Sequence, residues 1–289
     1  MAPLLDLRDI TLCAADSANI SLTARAIRLS KEQCDFGDAI LASHNPVEGP
    51  FRWVKIDKFN SSVDYQKFRL KRLPEITDTP FVLSIEWDGY VVAPRVWTSA
   101  FREYDYIGAK WPFHSDGMTV GNSGFCLQSR RLLKALGDRR IDHDGRTNVD
   151  DLICRIHRPM LEREYGIRFA PESIADLFSY ESGAPDNPTF GFHGCGNMWR
   201  HVNDAEMIQL VELLDPYVFR TGHFAILVYY YYLQRRFPAL DRTYGTMRKH
   251  LTRAEVERIF SSVIAPTSHP TEVVAFCERL LSRSSIPAG

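Results

Sequence analysis

No two cysteines in this chain are spaced as a CxxC pair, and neither sign of charge is in surplus. The six cysteines (Cys13, Cys34, Cys126, Cys154, Cys195 and Cys277) are scattered, which excludes a structural zinc site by ligand spacing. Several sit in apolar stretches such as "ITLCAAD" and "GFCLQS", where a reduced, buried thiol is expected. With 35 basic against 36 acidic residues, the formal net charge of -1 gives no electrostatic basis for a dedicated nucleic-acid binder. Long hydrophobic runs are also missing. A spanning helix needs roughly 18–20 apolar residues, and the most apolar stretch, "FAILVYYYYL" (224–233), is about half that. It reads as a buried helix and leaves open only peripheral membrane contact. The opening "MAPLLDLRDI" carries acids where a secretory leader has basic residues, so a cytoplasmic location is expected. No internal repeat or low-complexity segment is visible.

What is present is an ordinary globular composition, 45% hydrophobic and 25% charged over 289 residues. Short apolar runs alternate with amphipathic ones through the first two-thirds, the pattern of α/β layering. Strands are expected at 9–16, 37–44, 51–57 and 81–88. Helices are expected at 19–31, at 63–73 with Pro74 as its stop, at 94–104, at 129–136 and at 149–164. From about 203 the periodicity becomes helical throughout. The expected division is therefore a mixed α/β domain over 1–202 and a helical extension over 203–289, which would shape one side of the site or an oligomer contact.

Four small groups of residues carry the chemistry. "VLSIEWDGYVV" (82–92) ends an apolar strand with Glu86 and Asp88, which an extended backbone would point to the same side. Two carboxylates so placed repel unless a cation or donor groups lie between them; arginines or water would be the plain alternative. "TVGNSGFCLQS" (119–129) sets Gly121 and Gly124 around Asn122 and Ser123, either to allow positive φ and close approach to a ligand or as a simple hairpin turn. "NVDDLICR" (148–155) opens a helix with Asp150 and Asp151, which could equally be dipole-complementing caps. "FGFHGCGNMW" (190–199) places His193 among glycines and aromatics, a setting in which a histidine can also be merely structural. Lys67 and Lys71, four apart, share a helix face and could reach a phosphate or simply face solvent.

In this order the groups resemble nucleotide-sugar glycosyltransferases of the GT-A class, and more closely a largely uncharacterised family of that class with an EWDG- or QWDG-type motif. The resemblance covers about residues 9–200 and rests on "FVLSIEWDGYVV", "YDYIGAKWPF", "VGNSGFCLQSRRLL", "VDDLICR", "IRFAPE" and "FGFHGCGNMW". It implies a GT-A-like, Rossmann-like mixed sheet flanked by helices, with the helical tail outside it. "EWD" stands where that class has its DxD motif, with Glu86 in place of the first Asp. The resemblance then implies Asp88 as the main metal ligand, Glu86 in support, and His193 as the late ligand of Mn²⁺ or Mg²⁺. It implies donor contacts from Asp16, Glu86, Lys71, Gly121, Asn122 and Gly124, with a UDP-sugar as first expectation and a glycan or other hydroxyl as acceptor. "VDD" matches the motif that supplies the base in inverting members, Asp151 first and Asp150 as alternate.

The expected activity is thus metal-dependent sugar transfer, in polysaccharide or glycoconjugate synthesis. Two other readings use the same residues: a nucleotidyl- or phosphotransferase, and a non-catalytic nucleotide-sugar-binding module with Glu86 marking a degenerate motif. Donor identity, acceptor, stereochemistry and oligomeric state depend on loops that the sequence does not fix.

Overall fold

In a computed structural model the described residues are 3–284; the outermost positions of the two expected segments, 1–2 and 285–289, lie outside them. Strand β1 (Leu5–Asp16) runs through the middle of the main sheet, and its stretch Ile10–Ala14 is buried without alternation. That is how a strand reads when both faces of a parallel sheet are covered. β2 (Cys34–Ser43), β3 (Arg52–Lys55) and β4 (Phe81–Ile85) join it in parallel, while β8 (Phe125–Ser129) is antiparallel to both β4 and β5 (Tyr106–Ile107). The spatial order is β3-β2-β1-β4-β8-β5. The fold is therefore α/β, a mixed sheet with helices around it, as expected.

The order positions the site. After β1 the chain winds outward to β2 and β3, then returns to place β4 on the other side of β1. Such a reversal opens a crevice beyond the carboxyl ends of the two central strands, where open α/β sheets bind ligands. Asp16 closes β1 and Glu86 follows β4, so both border that crevice.

Helices α1 (Ile20–Lys31), α2 (Ser62–Lys71) and the short α3 (Leu73–Ile76) form where periodicity predicts helix, although Pro74 sits in the first turn of α3 instead of stopping α2. Ser61 and Asp64 form a capping box at the start of α2. Ser129 caps α4 (Arg130–Ala135) through the Leu132 amide. Three expectations are corrected. Residues 94–104 form two 3₁₀ turns, Pro94–Val96 and Ser99–Glu103, in place of a helix. The single helix expected over 149–164 is broken into α5 (Val149–Asp151), a π-helical turn Leu152–Ile156, and α6 (Arg158–Tyr165), with Pro159 in the first turn of α6. Pro159 cannot donate to the preceding turn, and Ile156 is 56% exposed. Finally, β4 stops at Ile85, so Glu86 and Asp88 lie in a turn and not on the pleat.

Small elements finish this unit: the hairpin β6 (Ala109–Lys110) with β7 (Val120–Gly121), α7 (Glu172–Phe178), and the parallel pair β9 (Ser179–Tyr180) with β10 (Gly191–Phe192). Two compact units divide the chain, Met1–His193 and Gly194–Gly289. The second is helical, with α8 (Asp204–Leu210), α9 (Gly222–Leu233), α10 (Phe237–His250), α11 (Arg253–Val263) and α12 (Pro270–Ser284). The apolar run of 224–233 is α9, which buries Phe224, Ala225, Leu227, Val228 and Tyr231. No helix among the described residues is long and apolar enough to cross a membrane. All six cysteines are buried and free, as their apolar settings predict.

Candidate functional site

The turn after β4 is closed by the Gly89 amide donating to the Glu86 carbonyl, 3.2 Å. It brings the two carboxylates together by a different route from the pleat, and with them His193, which follows β10. One ligand atom from each of Glu86, Asp88 and His193 lies within 4.8 Å of the others. His193 Nε2 is 3.5 Å from Asp88 Oδ1 and 3.6 Å from Glu86 Oε2. Two ligands of one cation at bonds of ~2.2 Å sit roughly 3.1 Å apart at right angles and 4.4 Å apart across it. The two separations from His193 fall between those limits. Asp88 is 7% exposed, and its buried Oδ1 makes no hydrogen bond, with His193 Nε2 standing 3.5 Å off. A buried carboxylate oxygen left so is costly unless a cation satisfies it. The donor set of two carboxylates and one imidazole thus fits a divalent ion.

Glu86 is held from behind by α2. The Tyr65 hydroxyl donates to Glu86 Oε1 at 2.7 Å, and the buried Arg69 donates to that hydroxyl at 2.9 Å and lies 3.4 Å from the same oxygen. Burial opposes ionisation of Glu86, but His193, Arg69 and Tyr65 outweigh it and hold the carboxyl down to about 2. Burial likewise opposes charge on His193, yet Asp88, Glu181 and Glu86 drive the imidazole well above its ordinary range. Protein side chains thus leave a protonated imidazole between the acids, where a cation would otherwise sit.

His193 depends on its neighbours' shape. A Cβ on Gly124 would come within 2.0 Å of His193 Nε2, so only glycine leaves room for the ring. Neither Gly121 nor Gly124 takes positive φ; the left-handed residue of this loop is Asn122, at φ 67. The loop's clearances are filled by protein, His193 over Gly124 and Trp111 over Gly121. Asn122 Oδ1 accepts from the Phe125 amide at 3.2 Å, and its Nδ2 lies 3.0 Å from His193 Nδ1.

The remaining expected residues divide. Asp16 lies near enough to feel the charge of Glu86, but its carboxylate holds the turn before α1, accepting from the Ala18 and Asn19 amides and the Thr23 hydroxyl. Lys71 points elsewhere: its ammonium donates to the carbonyls of Leu136, Asp138 and Ile141 behind α4, which commits its protons and removes the expected reach to a diphosphate. Lys67 is exposed. Asp150 is half-buried, and desolvation first, then the charges of Asp151 and Glu181, push its carboxyl up to about 6. A helix of three residues offers little dipole to offset this. Asp151 donates its amide to Asp150 Oδ1 at 3.0 Å, and its charge acts on Arg155.

Three residues escaped the sequence reading: Tyr65, Arg69 and Glu181. Tyr65 and Arg69 are four apart, as are Lys67 and Lys71, but on the inward face of α2. Glu181 carries no local signal. It meets His193 only because β9 and β10 pair in parallel, Tyr180 opposite Phe192, with the His193 amide donating to the Tyr180 carbonyl at 2.9 Å.

Residues 50–193 match the family described as "Protein of unknown function (DUF5672)". Among curated proteins nothing matches. Solved structures similar to this chain include a glycosyltransferase involved in the glycosylation of the major capsid of PBCV-1, at 14% identity over 65% of this chain and 93% of that one, TM-score 0.43. Another is the galactosyltransferase LgtC in complex with donor and acceptor sugar analogs, at 14% identity, 71% and 94% coverage, TM-score 0.37. A third is S. aureus TarS 1–349 in complex with UDP-GlcNAc, at 10% identity, 95% and 91% coverage, TM-score 0.38. At these identities and scores they decide nothing about chemistry, which rests on the side chains above.

Proposed function

We propose that this chain is a metal-dependent glycosyltransferase that moves a sugar from a nucleotide-diphosphate sugar, in the first instance a UDP-sugar, to a hydroxyl of a glycan or similar acceptor. The observation that carries the reading is the convergence of Glu86, Asp88 and His193 at the crevice beside β1 and β4. In this reading Asp88, His193 and Glu86 hold Mn²⁺ or Mg²⁺, with the carboxylates suiting either ion and the imidazole favouring Mn²⁺. When bound, the ion supplies neutralisation of the negative charge that develops on the diphosphate.

The base is assigned to the acid pair, with Asp150 preferred to Asp151. Asp150 is the member that feels Glu181, which touches His193. A carboxyl near 6 is matched to neutral pH better than one at an ordinary value. It takes the acceptor hydroxyl's proton as that oxygen attacks the anomeric carbon, and the bond to the diphosphate oxygen breaks with its electron pair on the diphosphate. The anomeric centre then inverts. Catalysis is assigned to the first unit.

The test is a panel of nucleotide sugars with Mn²⁺, following the nucleotide product. Sugar transfer or donor hydrolysis releases a nucleoside diphosphate, whereas nucleotidyl transfer expels the sugar 1-phosphate, with nucleoside monophosphate freed when water is the acceptor. The expected result is nucleoside diphosphate, lost in Asp88→Asn. Monophosphate release would overturn sugar transfer in favour of nucleotidyl transfer.

A further inference from the structure

We propose that Glu181 is a positioning residue that selects the His193 tautomer able to bind a cation. The inference rests on the reading of Glu86, Asp88 and His193 as cation ligands. Glu181 Oε1 lies 2.8 Å from His193 Nδ1, and the two side chains are 18% and 14% exposed. An ionised carboxylate only accepts, so at this distance Nδ1 carries the proton and donates. A cation that displaces the Nε2 proton then finds that nitrogen's lone pair aimed toward Asp88 and Glu86. Ligating histidines are commonly oriented by a carboxylate on the second nitrogen.

A rival group makes the role of Glu181 specific. The Asn122 amide nitrogen also lies on Nδ1, at 3.0 Å, and the Phe125 amide bound to Asn122 Oδ1 fixes that orientation. Asn122 can only donate through this nitrogen, which favours the opposite tautomer: Nδ1 accepting and Nε2 carrying hydrogen. An N–H aimed at Asp88 and Glu86 cannot bind a metal. Hydrogen bonds to an ionised acceptor are about twice as strong as neutral ones, so Glu181 prevails over Asn122. Removing Glu181 hands Nδ1 to Asn122, and the ligand nitrogen is lost without the ring moving.

The test titrates Mn²⁺ into the full chain by electron paramagnetic resonance, with imidazole nitrogen coupling to the bound ion as a second readout and circular dichroism to confirm folding. Glu181→Ala should weaken Mn²⁺ binding about 10–100-fold and abolish the nitrogen coupling. Glu181→Gln, which keeps an accepting oxygen, should lose less. The double variant Glu181→Ala with Asn122→Asp replaces the rival donor with an acceptor, and aspartate tolerates the left-handed backbone there. It should recover affinity and coupling relative to Glu181→Ala alone. A merely structural role for Glu181 gives no such recovery. Wild-type affinity and coupling in Glu181→Ala, or a double variant no better than Glu181→Ala, overturns the proposal while leaving the metal site intact. Absence of Mn²⁺ binding by the wild-type chain overturns the metal reading and this inference together.

Discussion

Asp150 joins two properties that are usually in conflict. Its carboxyl is pushed up to about 6 because burial and the neighbouring Asp151 and Glu181 disfavour the charge. A folded-state value above the unfolded one near 3.9 means that the native state holds the proton longer. Its contribution to stability is therefore full below about pH 4 and lost as pH rises toward 6, amounting to roughly 2–3 kcal/mol. Asp150→Asn cannot ionise, so at pH 7 it should unfold at higher denaturant than wild type while its transfer rate falls on the order of 10²–10⁴. Wild-type kcat/KM should rise through about pH 6, and that limb should vanish in the variant. Denaturant melts at pH 4 and 7 check the first half, and a pH–rate profile the second. If Asp151→Asn loses transfer and Asp150→Asn does not, the base is Asp151. At this scale the sequence makes Glu86, Asp88, His193 and the acid pair legible, because each stands in a recognisable local pattern. Glu181, Tyr65 and Arg69 are not legible. Each acts through a partner 12 to 21 positions away in the chain.

Among the elements, α2 and the β9–β10 pair set the site's geometry. The inward face of α2 holds Glu86 through Tyr65 and Arg69, and its Gln66 accepts the Val149 amide at 2.7 Å, tying down the start of the acid-pair segment. The parallel pairing of β9 and β10 sets His193 beside Glu181, and Gly124 leaves the ring its place. Gly124→Ala follows as a sharp probe, since the new methyl would meet the imidazole from Nε2 to Cε1 at 2.0–2.3 Å. We expect it to cost about 1–3 kcal/mol of stability and to abolish Mn²⁺ binding. Unaltered Mn²⁺ affinity in a folded Gly124→Ala would show that His193 Nε2 is not a ligand. Strands β1, β2 and β4 are legible as buried runs, and α1, α2 and α4 as helical stretches. The break at 152–158 is not. The apolar period continues across it while the backbone shifts to a π turn, a local choice that periodicity does not encode.

For the whole molecule, the decisive feature is the reversal of strand order between β1 and β4, which brings acids from distant segments to one crevice. The sequence suggests α/β layering from its alternation of runs, but strand order depends on long-range pairing that a single chain of letters does not display. Near-neutral charge, 35 basic against 36 acidic residues, also means that donor affinity cannot come from a general attraction for anions. It has to come from this local cluster and an added cation. The most direct measurement is therefore the thermal unfolding midpoint of the full chain with UDP alone, with Mn²⁺ alone and with both. A ligand that binds only the native state at 100 times its Kd adds about 2.7 kcal/mol, a shift of several degrees. The account predicts little change with UDP alone, a rise with Mn²⁺, a larger rise with both, and no metal-dependent gain in Asp88→Asn. A UDP-induced rise that is the same with and without Mn²⁺, and unaffected by Asp88→Asn, would contradict it.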